Sequence, residues 1–157
     1  MDSYGERFTI EPGSAQGLKF LIIEGRNYSG IVDELRRGAE AVLDAAGASH
    51  ESIAVPSAME VPIALAMALE AGDYDGYVAL GCVIRGQTNH YSSVAGESIR
   101  ALMELAMVDA LPLGLGILTV ETEAQAWIRA HVKEQDRGGD AARAALALAA
   151  LKAKLNS

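Results

Sequence analysis

Short aliphatic runs alternate with helical segments of about ten to twenty residues along this chain, and that alternation constrains its fold more than any other feature. Residues 18–24 (Leu-Lys-Phe-Leu-Ile-Ile-Glu) form the first run and close at Gly25; residues 52–56, 74–82 and 113–118 form the others. Each is compact and too short for a buried helix, and the first carries β-branched residues at Ile22 and Ile23. The segments between them have helical periodicity. Over 30–46, Ile31, Leu35, Ala39, Val42 and Leu43 share one face, Asp33, Arg36, Arg37 and Glu40 lie elsewhere, and Gly47 stands where a helix stops. Residues 57–60 (Ser-Ala-Met-Glu) and 122–125 (Thr-Glu-Ala-Gln) both have capping-box spacing, and Pro62 fits the first turn of the helix that 57–60 opens. Further helices are expected over 91–110 and after the Gly138-Gly139 pair, the last ending in Lys152 and Lys154, which suit a helix C-terminus. Strands and helices in such alternation specify a three-layer α/β/α sandwich around a four-stranded parallel sheet.

Composition narrows the function. Half of the 157 residues are hydrophobic but only 5% are aromatic, so the core is expected to be aliphatic. The formal charge of −8 is the wrong sign for a field that attracts nucleic acid or an anionic membrane, so any phosphate must be captured locally. Cys82 stands alone, which excludes an internal disulfide and suits a reducing cytoplasm. Residues 1–17 read as a flexible N-terminal arm without an export signal, and 18–157 as one domain without a membrane span.

In an open parallel sheet, ligands bind beyond the carboxyl ends of the strands. The richest such segment is 85–90 (Arg-Gly-Gln-Thr-Asn-His), where a glycine, backbone N–H groups before a helix, a hydroxyl, a cation and an imidazole come together. Each residue also has a purely structural alternative: His90 as an inert first-turn residue, Thr88 as an N-cap, Arg85 paired with a neighbouring carboxylate, Glu60 completing the capping box with Ser57, and Cys82 as an apolar filler. His50, His90 and His131 lie on three different elements, with no metal-ligand spacing around them. No dinucleotide fingerprint, Walker lysine or nucleophile elbow is present.

The run 79–91 (Ala-Leu-Gly-Cys-Val-Ile-Arg-Gly-Gln-Thr-Asn-His-Tyr), with Val-Ala-Gly-Glu behind it at 94–97, resembles the central signature of the 6,7-dimethyl-8-ribityllumazine synthases. Residues 55–62, 116–121, 125–126 and 136–142 resemble that family's segments in the same order, so the likeness runs from about Leu18 to Lys152. The resemblance implies a flavodoxin-like sandwich and a riboflavin-pathway condensation of 5-amino-6-(D-ribitylamino)uracil with 3,4-dihydroxy-2-butanone 4-phosphate, with neither cofactor nor metal. Carried over by position, it makes His90 the acid/base. Gln87 and Thr88 hold the phosphate, joined by Arg129 from an adjacent subunit. Ala58, Met59 and Glu60 bind the ribityl chain, while Val83 and Ile84 contact the pyrimidinedione. Arg137 and Asp140 fall where the family places a lysine and an acid. Asn27 and Tyr28 stand where a ring usually stacks on the heterocycle, and Leu115 lines the site from the next subunit. Ser57 replaces a usual glycine. The implied assembly is a homopentamer or a multiple of one, and the alternative role is a flavin- or lumazine-binding protein or assembly scaffold.

Overall fold

The computed structural model describes residues 6–85 and 90–157, and for 90–94 the backbone alone. Four strands, β1 (Lys19–Gly25), β2 (Ser49–Val55), β3 (Gly76–Ile84) and β4 (Leu113–Val120), form one sheet in the order β2-β1-β3-β4. All pairings are parallel. The helices are α1 (Ser29–Ala45), α2 (Val61–Ala71), α3 (His90–Asp109), α4 (Glu123–Ala130) and α5 (Arg137–Leu155), and a single 3-10 turn, Ala58–Glu60, leads into α2. The three-layer α/β/α sandwich expected from the alternation is the observed architecture.

Strand periodicity divides the core in two. Phe20 and Ile22 of β1, with Val78, Leu80 and Cys82 of β3, face α1, α4 and α5; Leu21, Ile23, Tyr77 and Ala79 face α2 and α3. The strand order explains this layering. The chain turns to one side after β1 and to the other after β2, and right-handed crossovers in opposite directions put their helices on opposite faces. The reversal between β1 and β3 is the switch point at which such sheets open a crevice.

β3 runs two residues later than expected and β4 extends two residues further, to Val120; two other boundaries differ for physical reasons. β2 begins at Ser49 rather than 52, because as an edge strand paired only with β1 it tolerates half-buried His50 and exposed Glu51 and shows no apolar signal at its start. The glycine pair at 138–139 does not precede α5 but lies in its first turn. There α5 crosses α1 so closely that a Cβ on Gly138 would fall 1.9 Å from the Leu35 carbonyl oxygen, and one on Gly139 2.2 Å from Asp136 Oδ2. Gly38 of α1 meets the same carboxylate, with 2.2 Å between its would-be Cβ and Oδ1. Asp136 itself takes a left-handed backbone, φ 48°, and caps α5 by accepting the Gly139 N–H at 3.2 Å.

These contacts give two expectations. Gly138→Ala gains about 1 kcal/mol of helix propensity but loses about 3 kcal/mol to overpacking against the Leu35 carbonyl, so urea unfolding should show a net loss of about 2 kcal/mol. Asp136 is buried, and desolvation raises its carboxyl above the ordinary value against the opposing Gly139 hydrogen bond and the Arg143 charge. A raised folded-state value means that the native protein holds this proton more tightly than the unfolded chain does. The side chain therefore destabilises the fold progressively as pH rises above about 4. Asp136→Asn keeps the cap and tolerates the left-handed backbone, so its stability relative to the parent should improve from pH 4 to pH 7, as measured by denaturant titration at each pH. A constant difference across that range would count against the desolvation account.

Candidate functional site

The crevice at the switch point is shaped by a close backbone approach. The Ser57–Ala58 peptide passes directly over the end of β1, where a Cβ on Gly25 would lie 2.7 Å from the Ser57 carbonyl carbon. Ala58 also covers Gly81 of β3, 3.5 Å from its would-be Cβ. The turn is pinned on its far side, where buried Ser98 of α3 donates from Oγ to the Ala58 carbonyl at 3.0 Å. Ala58 is thereby buried with Val83 and Ala95, while Met59 projects into solvent.

The capping box at 57–60 forms in a modified way. Ser57 Oγ accepts the Met59 N–H at 3.3 Å, but the Glu60 carboxylate accepts a hydrogen bond from the Ser57 hydroxyl, Oγ to Oε1 2.6 Å, instead of returning to the cap backbone. Glu60 is half-buried at the crevice mouth with one carboxylate oxygen so occupied. The structural alternative for Arg85 is also present, since its guanidinium lies 3.5 Å from Glu121. After β1, Asn27 is exposed, whereas Tyr28 packs part of its ring against the α1-side core. Buried Glu24 orders this connection by binding Arg26 and, at 3.1 Å, Arg36. Arg26 also donates to Asp33 at 2.8 Å, a bond that holds the Asp33 carboxyl below the ordinary range.

His90 is the first residue of α3, following β3 at the carboxyl edge. The expectations at Gln87 and Thr88, and those concerning the His90 side chain, lie outside the described residues. Cys82 is sealed in the core, where burial and the charge of Glu123 push its thiol up to about 12, consistent with a filler rather than a nucleophile. Among the described residues, no three His, Cys, Asp or Glu side chains gather as metal ligands, and no helix is long and apolar enough to cross a membrane.

A second set of expected residues comes together elsewhere. Leu115, Arg129, Arg137 and Asp140 line one groove of about 200 Å³ along the free edge of β4, beside the first turns of α5. Arg129 reaches it because α4 is capped at Thr122, whose Oγ1 accepts the Gln125 N–H at 3.2 Å. Arg129 Nη1 then donates to the outward carbonyl of Thr119 at 3.2 Å, partly capping the exposed strand edge. Asp140 gathers cations: Arg143 Nη1 lies 3.1 Å from Oδ1, and Arg137 Nη1 lies 3.7 Å from Oδ2. Spacing in the sequence gave no sign of Arg7, whose Nε donates to Asp140 at 2.6 Å across 133 residues. Glu60 and Arg129 follow the two opposite edge strands, β2 and β4, which stand three strand spacings, about 14 Å, apart.

Comparison with known proteins agrees with these observations. The model of the family described as 6,7-dimethyl-8-ribityllumazine synthase matches residues 17–153. A 6,7-dimethyl-8-ribityllumazine synthase of Azorhizobium caulinodans is 59% identical over 141 residues, covering 87% of this chain and 87% of its own. One from Xanthobacter autotrophicus is 55% identical over 147 residues, covering 90% and 89%. The 6,7-dimethyl-8-ribityllumazine synthase 1 of Rhizobium meliloti is 53% identical over 142 residues, covering 87% and 93%. With the family model matched over residues 17–153 and relatives 53–59% identical over most of both chains, the chain belongs to the 6,7-dimethyl-8-ribityllumazine synthase family.

Proposed function

We propose that this chain condenses 5-amino-6-(D-ribitylamino)uracil with 3,4-dihydroxy-2-butanone 4-phosphate to form 6,7-dimethyl-8-ribityllumazine, acting as a homopentamer in the cytoplasm. The pyrimidine's primary amine attacks the ketone and loses water to form an imine. Elimination releases inorganic phosphate, and the ribityl-bearing nitrogen closes the ring with loss of a second water. Every step moves protons and none transfers electrons to an external acceptor, so a group titrating near neutrality is the principal chemical requirement.

His90 is assigned that shuttle. Gln87, Thr88 and Arg129 are assigned to the phosphate, with Arg137 and Asp140 beside it. Glu60 and the backbone at Ala58 and Met59 are assigned to the ribityl hydroxyls. Val83, Ile84, Asn27 and Tyr28 border the heterocycle, and Leu115 closes it from a neighbouring copy.

The observation that carries this reading is the division of these residues between the switch-point crevice and the β4-edge groove of a single copy. Two small substrates that must bond to each other need both sets at once, so the groove of one protomer has to be set against the crevice of the next. Exposed apolar side chains support such a packing. Ile63 and Met67 on α2, and Met103 and Met107 on α3, stand on the helix layer next to the crevice. Met67 and Met107 are 66% and 69% exposed, apolar surface that a neighbouring copy would remove from water.

Mass measurement in solution should give five times the 16.5 kDa chain, or a multiple of that assembly. Arg129→Ala should raise KM for the sugar phosphate by about tenfold or more, the loss of a charge-assisted contact, and change KM for the pyrimidine much less. Equal losses for both substrates would remove Arg129 from the phosphate site. His90→Ala should abolish lumazine formation, followed by its absorbance, without dissociating the assembly.

A further inference from the structure

Arg7 belongs to no helix or strand, yet its guanidinium closes on the start of α5. Nε donates to Asp140 Oδ1 at 2.6 Å, and Nη2 donates to the Gln135 carbonyl. These two acceptors lie on either side of Asp136, the left-handed residue that caps the helix. Neighbouring backbone bonds anchor the same segment to the end of α1: the Gly13 N–H donates to the Ala45 carbonyl at 3.1 Å, and the N–H of buried Ala15 to that of Ala46 at 2.8 Å. Residues 7–15 therefore connect the C-terminal end of α1 with the N-terminal turn of α5.

We infer that Arg7 is a positioning residue for the anion groove, acting through Asp140 and the Gln135 carbonyl to set the orientation of the turn that carries Arg137 beside Arg129. It is not among the groove-lining residues, so it acts through others rather than by touching substrate. The inference rests on the phosphate reading of the groove given above. Its geometry is specific to arginine: a planar fork directs separate N–H groups at a carboxylate and a carbonyl, which the single ammonium of lysine does not reproduce. The Arg7 and Asp140 side chains are 37% and 28% exposed, so their ion pair adds little to global stability. Its effect is expected in the groove.

The test uses the full chain and its variants Arg7→Ala, Arg7→Lys, Asp140→Asn and the Arg7→Ala/Asp140→Asn double. Calorimetric titration with inorganic phosphate is read alongside KM for the sugar phosphate, kcat and Tm. Arg7→Ala should weaken phosphate binding about fivefold and raise that KM by a similar factor, with kcat and Tm nearly unchanged. Arg7→Lys should recover only a minor part of the loss, and Arg7→Ala should cost clearly less in the Asp140→Asn background, where only the Gln135 carbonyl contact remains to be lost, than in the parent. Full recovery by lysine would reduce Arg7 to a diffuse charge and overturn the inference, as would additive losses in the double variant or unchanged phosphate affinity in Arg7→Ala. If the parent chain binds phosphate but makes no lumazine, the catalytic reading fails while the titrations still decide the role of Arg7. A parent that does not bind phosphate overturns both.

Discussion

The Asp136 carboxylate occupies space that exists only because Gly38 and Gly139 have no side chains, and the geometry of the β4-edge groove depends on that contact. With any larger residue at those glycines, α5 could not cross α1 at this distance, and its first turn would move away from the sheet edge. Gly114 and Gly116 of β4 extend the same close packing: a Cβ on Gly114 would fall 1.8 Å from the Ala141 carbonyl oxygen, and one on Gly116 3.1 Å from the Ala141 Cβ. Small residues thus line both partners of α5. The helix that carries Arg137 and Asp140 is positioned by backbone approach rather than by flexible side chains, which suits a site that needs fixed charges.

Local fixing matters because the chain's overall field is unfavourable to its substrate. A molecule with formal charge −8 repels a phosphate ester at long range. Against that background Arg7, Arg129, Arg137 and Arg143 gather around Asp136 and Asp140 in one region. The two carboxylates order the guanidiniums at short range without cancelling them, leaving a region of opposite sign to the molecule as a whole. Beyond a Debye length of about 8 Å at physiological ionic strength the field is screened, so under the proposed phosphate role the local arrangement of charge would decide capture.

Features set by local pattern were legible in the sequence. Strand alternation gave the layers, the capping residues Ser57 and Thr122 both bond backbone N–H groups as their spacing implied, and Cys82 proved to be the buried filler that its strand position suggested. What escaped was non-local. The start of β2 carries no apolar signal because it lies at the sheet edge, and the glycines at 138 and 139 read as a break ahead of α5 until Leu35, some hundred residues earlier, is seen to press on Gly138. The reciprocal half of each capping box also shifted: Glu60 takes a hydroxyl, and Gln125 Oε1 accepts the N–H of Glu121 rather than that of Thr122. For the candidate site, the resemblance supplied residues and possible roles. Which of them share a groove within one copy emerged only from the strand order.

That strand order also separates the switch-point crevice from the β4-edge groove. β1 and β3 occupy the centre of the sheet, so the switch-point crevice lies over the middle, while the groove with Arg129 lies past the β4 edge. A free edge strand with outward carbonyls is also a liability unless something covers it, and Arg129 covers only the Thr119 carbonyl. Docking the crevice of a neighbouring copy against this edge would cover the remaining backbone groups and, under the assignments proposed above, add Arg129 to the phosphate-binding segment beside His90. Oligomerisation would then solve a sheet-edge problem and a catalytic one with the same contact, and it would hold both sets in register through rigid elements rather than loops.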